Sequence, residues 1–319
     1  SGLMRTKIII LIVKRHVGEI DWILPVLYRL NKKLILVTIF QDQASLESMK
    51  NNKNIYSLWK EICTKYTVLK KTDNTIWKIT FKLFLYFGLN KFVRLRRIEN
   101  FILFNVFNVP ELMKKLNISI NDIYYIFTAN TNSSYLPNYI KKEGSKINIV
   151  RFPEATMLSP TKKENPFFKQ GIKKTYNILG DFFLFSSQSD ANFFFGSKIN
   201  NNIKKKIIYC GIPRYEKWWI KKIVKTKKTQ PKKFTILVLL RPANILFFQK
   251  KSFDNFLISM KFLADQIKGI QFIFKLHPNL DKKHIVSNYL KNINKNYWKI
   301  SNSHVLYLSN FCNVCIGTM

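Results

Sequence analysis

The apolar run Ile270-Gln271-Phe272-Ile273-Phe274-Lys275-Leu276 ends abruptly in His277-Pro278. Its length and bulky residues predict a buried strand. Pro278 keeps His277 out of the helical region, so strand and following helix cannot fuse across this point. In an open parallel α/β sheet, ligands bind just outside the carboxyl ends of the strands. An ammonium, an imidazole and a rigid proline therefore stand where a phosphate-bearing ligand is held. The alternative is a histidine that only caps its strand. Arg241 follows the strand-like run Phe234–Leu240, and Gly317-Thr318 follows the run that begins at Asn313. Cations and a free hydroxyl at one sheet edge suit the diphosphate of an activated substrate. Neither G-x-G-x-x-G nor G-x-x-x-x-G-K occurs, which argues against a dehydrogenase or a P-loop NTPase.

In the first half the chemistry-bearing candidate is Glu154, directly after a buried strand and beside Pro153. A carboxylate there could serve as general base toward an acceptor hydroxyl; the alternative is a loop carboxylate paired with Arg151 or a lysine. His16, at the end of the first strand in Lys14-Arg15-His16, is the rival base or an acceptor ligand. Asn130 and Thr131 also end a strand and could contact the acceptor, although such residues mostly make turns.

These residues need strands and helices that alternate, and the chain supplies the pattern. Strands are predicted at Thr6–Lys14, Leu34–Phe40, Asp122–Thr128, Lys146–Phe152, Asp181–Phe185 and Lys206–Cys210. Helices are predicted from Asp21 to Leu30, over Ser45–Tyr66, and over two shorter stretches before residue 200. The second half restarts with strands at Phe234–Leu240, Gln271–Leu276, Tyr297–Ile300 and Asn313–Ile316. Such β-α-β alternation predicts α/β architecture: two Rossmann-like domains facing a central cleft. The domains read as an acceptor-binding unit over residues 4–216, a basic linker over 217–233, and a donor-binding unit over 234–319. Roughly 90 residues after the boundary is short for a doubly wound domain, so the expectation is a C-terminal truncation.

Between residues 75 and 107 aromatic residues such as Trp77, Phe81, Phe84, Tyr86 and Phe101 interleave with Lys78, Lys82 and Arg94. That composition fits a helix lying in a membrane interface, or helices packed on the sheet with a solvated basic edge. The chain has 54 Lys and Arg against 18 Asp and Glu, a formal charge of +36, which points to a polyanionic partner. Hydrophobic content of 47% excludes a disordered chain. No window reaches the roughly 20 uncharged apolar residues of a membrane span. Cys63, Cys210, Cys312 and Cys315 form no disulfide framework, and the lone C-x-x-C at Cys312 reads as packed thiols. The expected location is cytoplasmic, peripheral at the inner face of the plasma membrane.

The strand ending Lys275-Leu276-His277-Pro278, the helix after it, and the later Asn313-Val314-Cys315-Ile316-Gly317-Thr318 resemble the C-terminal half of GT-B type bacterial surface-polysaccharide glycosyltransferases. The sialyl-, polysialyl- and Kdo-transferases and the CDP-glycerol glycerophosphotransferases share this His-Pro signature. Tyr209-Cys210-Gly211-Ile212-Pro213-Arg214 is similar to the segment with which such chains leave their first domain. The resemblance implies that His277 and Pro278 bind the donor phosphate and that Thr318 begins a Ser/Thr pair that assists. The family's acidic-acidic-Gly base motif corresponds here to Pro153-Glu154-Ala155, without the second acid and the glycine. The resemblance thus implies an inverting transferase with no cofactor beyond its nucleotide-activated sugar, CMP-sugar favoured, and a lipid-linked or glycan acceptor. Metal independence is expected because no obvious D-x-D pair is present. Three rivals remain: a CDP-alditol phosphotransferase, a nucleotide-sugar 2-epimerase-like isomerase, and a basic nucleic-acid-binding protein. The last is disfavoured because its charge follows no single stripe.

Overall fold

The computed structural model describes residues 7–14, 17–31, 34–69, 75–89, 98, 101–102, 105–106, 109–130, 135–143, 146–153, 179–196, 199–224, 231–240, 250–267, 269–277, 286–288 and 297–317. The chain divides into two compact units, Ser1–Leu46 with Trp59–Arg214, and Glu47–Leu58 with Tyr215–Met319.

In the first unit, Ile8–Val13 (β1) is an unbroken apolar run with all six residues buried. A strand apolar on both faces must be covered on both faces, which is the condition of a parallel sheet. It pairs with Ile35–Phe40 (β2) on one side and Ile123–Ala129 (β4) on the other, both parallel. Cys63–Val68 (β3), Asn148–Phe152 (β5), Phe182–Phe185 (β6) and Ile207–Tyr209 (β7) complete a seven-stranded sheet in the order β3-β2-β1-β4-β5-β6-β7. The order reverses between β1 and β4, so their carboxyl ends form the topological switch point where open α/β sheets bind ligands. Ile10, Ile12, Val37, Ile39, Ile126, Ile140 and Ile149 lie in one buried cluster of this unit.

In the second unit, Thr235–Leu240 (β8), Gln271–Leu276 (β9), Trp298–Ser301 (β10) and Val314–Gly317 (β11) form a parallel sheet in the order β10-β9-β8-β11. Here the switch point lies between β8 and β11, where Leu239 is in register with Gly317. Phe272 and Phe274 stack with ring centroids 6.0 Å apart, packed with Leu257 and Met260 of the helix Lys250–Gln266.

Four expectations change. The helix after β1 runs from Val17 to Leu30, four residues longer at its start than the predicted Asp21, because Glu19 supplies the acidic first turn. Asp21 lies within it and pairs with Arg214 Nη1 at 3.5 Å. The predicted helix over Ser45–Tyr66 is instead two helices, Gln43–Asn51 and Lys53–Ile62, followed by β3. As an edge strand with three consecutive exposed residues, β3 lacks the buried alternation that marks a strand in sequence. Lys217–Val224, inside the predicted linker, is a helix whose Trp219 and Ile223 are buried. Its lysines disguise an apolar face spaced four residues apart. Finally, of the C-x-x-C pair only Cys312 is buried; Cys315 is exposed. Among the described residues no helix is long and apolar enough to cross a membrane.

Candidate active site

The second sheet presents its chemistry at the carboxyl end of β9. The His277 backbone N–H donates to Leu240 O at 2.9 Å, which ties the ends of β8 and β9 together. Lys275 is in register with Leu239 of β8 and Ser301 of β10. Its ammonium donates to Leu276 O at 3.1 Å, folding the cation onto the strand end rather than out into solvent. Both side chains are half-buried. The imidazole therefore leaves a strand whose path is fixed by the neighbouring strand, the place where a side chain can be aimed with little freedom. Leu240 and Gly317 stand at the carboxyl ends of β8 and β11. Arg241, Pro278 and Thr318, predicted to complete this edge, lie outside the described residues, as do Glu154 and His16.

A cavity of about 370 Å³ opens at the other end of this sheet, lined by Thr235, Gln271, Lys233 and Lys299. Thr235 and Gln271 begin β8 and β9, so this cavity lies about 20 Å of strand from His277. It belongs to the amino ends, where a parallel sheet does not hold its ligands.

The first sheet carries a different constellation at its β1/β4 switch point. Asn130 follows β4 and is only 2% exposed, its backbone N–H donating to Phe152 O at 2.8 Å. Neither its amide oxygen nor its amide nitrogen meets a hydrogen-bond partner among the described residues. A buried amide left so costs about 1–3 kcal/mol, and a ligand that pairs with it removes the cost. The Trp22 indole stacks on Phe152 at 6.1 Å, and its N–H is unmet among the described residues as well.

Two buried charges flank these groups. Glu19 is wholly buried and accepts the Lys14 backbone N–H at 3.0 Å, which pins the first turn of its helix to the end of β1. Arg151 in β5 is also wholly buried and is paired in register with Thr128. Its guanidinium donates from Nη1 to Ala129 O at 2.9 Å and from Nε to Leu179 O at 3.0 Å. Burial lowers its pKa to about 10, which leaves it protonated at neutral pH. Gly180 approaches this side chain so closely that an added Cβ would lie 3.1 Å from Arg151 Cγ and 2.7 Å from the Phe183 ring. Any larger residue there would force the buried Phe183 ring to shift.

Sequence reasoning names Asn130 and Thr131 as acceptor contacts; the structure shows the Asn130 amide buried and unmet among the described residues, and Thr131 lies outside them. Glu19 and Arg151 are visible in the sequence only as neighbours of other candidates. A carboxylate in the first turn after a strand, and a cation within a largely apolar strand, are the available signal. His304 carries no such signal. Its Nδ1 accepts the Leu306 N–H at 3.2 Å, and its backbone N–H donates to Asn54 Oδ1 at 3.1 Å. It is a buried helix cap with a structural role. Among the described residues no three His, Cys, Asp or Glu side chains group to hold a metal ion.

No family model matches the sequence, and no curated protein matches it. Solved structures do resemble it. MnaA of S. aureus with UDP covers 98% of this chain and 74% of its own, with a TM-score of 0.51 and 13% identity. UDP-GlcNAc 2-epimerase from Neisseria meningitidis bound to UDP-GlcNAc covers 98% and 77%, with 0.51 and 12%. UDP-N-acetylglucosamine 2-epimerase from Rickettsia bellii covers 96% and 71%, with 0.51 and 12%. At this identity the likeness is one of fold: an α/β chain with two Rossmann-like domains of the GT-B class.

Proposed function

We propose that this chain is an inverting glycosyltransferase that takes a sugar from a nucleotide-activated donor. The observation that carries the reading is His277, held by its backbone bond to Leu240 at the carboxyl end of β9 with Lys275 beside it. An imidazole and an ammonium there stabilise the charge that develops on a leaving nucleotide phosphate. Arg241, Pro278 and Thr318 extend that phosphate site. The acceptor hydroxyl oxygen forms a bond to the anomeric carbon as the bond from that carbon to the phosphate oxygen breaks. Glu154, or His16 as its rival, takes the hydroxyl proton, and the nucleotide leaves with the bonding pair. In this reading the protein supplies the charge stabilisation itself, without a cofactor or metal.

The acceptor belongs at the β1/β4 edge of the first sheet, where the unmet Asn130 amide offers two donors and one acceptor to a hydroxyl-bearing molecule. A lipid-linked or surface polysaccharide acceptor fits this chemistry together with the charge of +36. CMP-sugars are the favoured donors. CDP-alditols are the enzymatic alternative, in which a phosphodiester rather than a glycosidic bond forms.

A second reading has its own support. One of the similar structures is a UDP-GlcNAc 2-epimerase bound to UDP-GlcNAc, so a 2-epimerase-like isomerase using a UDP-sugar shares this architecture. Calorimetric titration with CMP-, CDP-, UDP- and GDP-donors, followed by product analysis, separates the readings. Acceptor-dependent nucleotide release supports transfer, whereas donor isomerisation without acceptor supports the epimerase. A His277→Ala chain that keeps full nucleotide affinity and turnover overturns both.

A further inference from the structure

The helix Thr75–Tyr86 in the first unit has two apolar faces, of which one packs against other described residues and the other is exposed. Trp77, Phe81 and Phe84 pack with Ile102 and Val106 in a small separate core. Their spacing places them within an arc of about 60° at the ordinary helical rotation of about 100° per residue. Ile76, Ile79, Leu83 and Tyr86 follow the same rule and share an arc of about 80° on the other side. They are 72%, 50%, 49% and 83% exposed. Phe87, the next residue, is 64% exposed and meets Tyr86 edge to face at 5.3 Å.

Four large apolar side chains aligned along one helix face differ from the isolated exposed apolar residues that any surface carries. Lys78 and Lys82 lie four residues apart, along one border of this stripe. No acidic side chain occurs anywhere in Thr75–Tyr86. In a chain of net charge +36, this face complements a surface that is both apolar and anionic. A second copy of the chain meets that requirement poorly, because it would bring two strongly positive surfaces together.

We infer that the exposed face of Thr75–Tyr86 docks in the plane of an anionic lipid bilayer, with Ile76, Ile79, Leu83 and Tyr86 in the headgroup–acyl boundary and Lys78 and Lys82 at the phosphates. The opposite face stays anchored to the protein through Phe84 and Val106, so docking requires no unfolding. Burying one apolar stripe alone gives weak, reversible attachment, and lysines beside it add the second signal that stable attachment needs. The inference does not depend on the nucleotide-sugar reading; loss of nucleotide binding would leave it intact.

Co-sedimentation of the whole chain with vesicles tests it, comparing pure phosphatidylcholine with phosphatidylcholine containing phosphatidylglycerol. Wild-type protein binds the anionic vesicles, and binding weakens as salt rises. Ile79→Asp with Leu83→Asp lowers that affinity roughly 10-fold or more while circular dichroism is unchanged. Lys78→Gln with Lys82→Gln, a pair that leaves the apolar faces untouched, lowers it several-fold and flattens the salt dependence. Lys232→Gln with Lys299→Gln, remote in sequence, changes it by less than about twofold. Equal loss in the remote pair, or full vesicle binding by the aspartate pair, overturns the inference. So does a wild-type dimer in sedimentation velocity that the aspartate pair dissolves while vesicle binding is kept, for then the face belongs to a second copy.

Discussion

The carboxyl edges of the two sheets hold their polar groups in opposite ways. At the first, Glu19, Asn130 and Arg151 are buried, and the charged pair is fastened by backbone partners before any ligand arrives. At the second, Lys275 and His277 are half-buried, and Lys275 spends its ammonium on the carbonyl of the residue next to it. A buried constellation is pre-organised: its orientation costs nothing at binding, but every unmet atom costs stability in the free protein. A half-buried cation is free of that penalty and must reorient to meet a phosphate. The first edge therefore suits an uncharged, hydroxyl-rich ligand read by hydrogen bonds, and the second suits a strongly charged one that supplies its own driving force.

Substitutions should separate the two edges. His277→Ala is expected to reduce turnover roughly 100-fold or more, the typical effect of removing one preorganised group that faces developing charge. Its melting temperature should stay within about 1 °C of wild type, because the Leu240 bond comes from the backbone. Arg151→Met reverses that pattern. It leaves Ala129 O without its partner in the interior, removes the part-buried bond to Leu179 O, and should cost about 2 kcal/mol in urea unfolding. Asn130→Leu is the sharpest discriminator. With no partner to lose among the described residues, stability should hold or rise by about 1 kcal/mol, while acceptor-dependent turnover falls about tenfold. Destabilisation with unchanged turnover would make that amide a structural group and dissolve the contrast.

The smallest effect is one of pH. Desolvation by burial raises the Cys63 thiol from its ordinary value of 9.0 to about 11, opposed by a hydrogen bond with Thr38. The folded state thus favours the neutral thiol. Its contribution to stability is complete below about pH 9 and is lost as pH rises through about 11. Urea midpoints measured from pH 8 to 11 should fall for wild type and fall less for Cys63→Ala. Exposed Cys210 and Cys315 should be alkylated by iodoacetamide well before buried Cys312.

Much of the fold can be read from residue order, and the exceptions share a cause. β1, β2, β8 and β9 are predominantly apolar runs, each between two neighbouring strands, so composition alone marks them. β3 is an edge strand with a polar surface, and its Cys-Thr-Lys-Tyr-Thr-Val run offers no such contrast with the preceding helix. Lys217–Val224 has the composition of a linker because its lysines dominate the count, although Trp219 and Ile223 set its buried face. The helix Thr75–Tyr86 is legible in sequence as aromatic and basic. Composition poses packing on the protein and facing outward as alternatives, and the helix does both, on opposite faces.

The sequence by itself determined the alternation of parallel strands and helices, the restart after residue 233, and His277 as the residue that ends a central strand. Local physics suffices for these, because apolar periodicity and a proline act over a few neighbouring residues. Tertiary structure alone decided that Asn130 is buried with an unmet amide and that Arg151 spans from Ala129 to Leu179 across the sheet. It also decided that Asp21 meets Arg214, 193 positions away in the chain. Burial and pairing at such separations depend on which strands become neighbours, and strand order is a property of the whole sheet rather than of any segment within it.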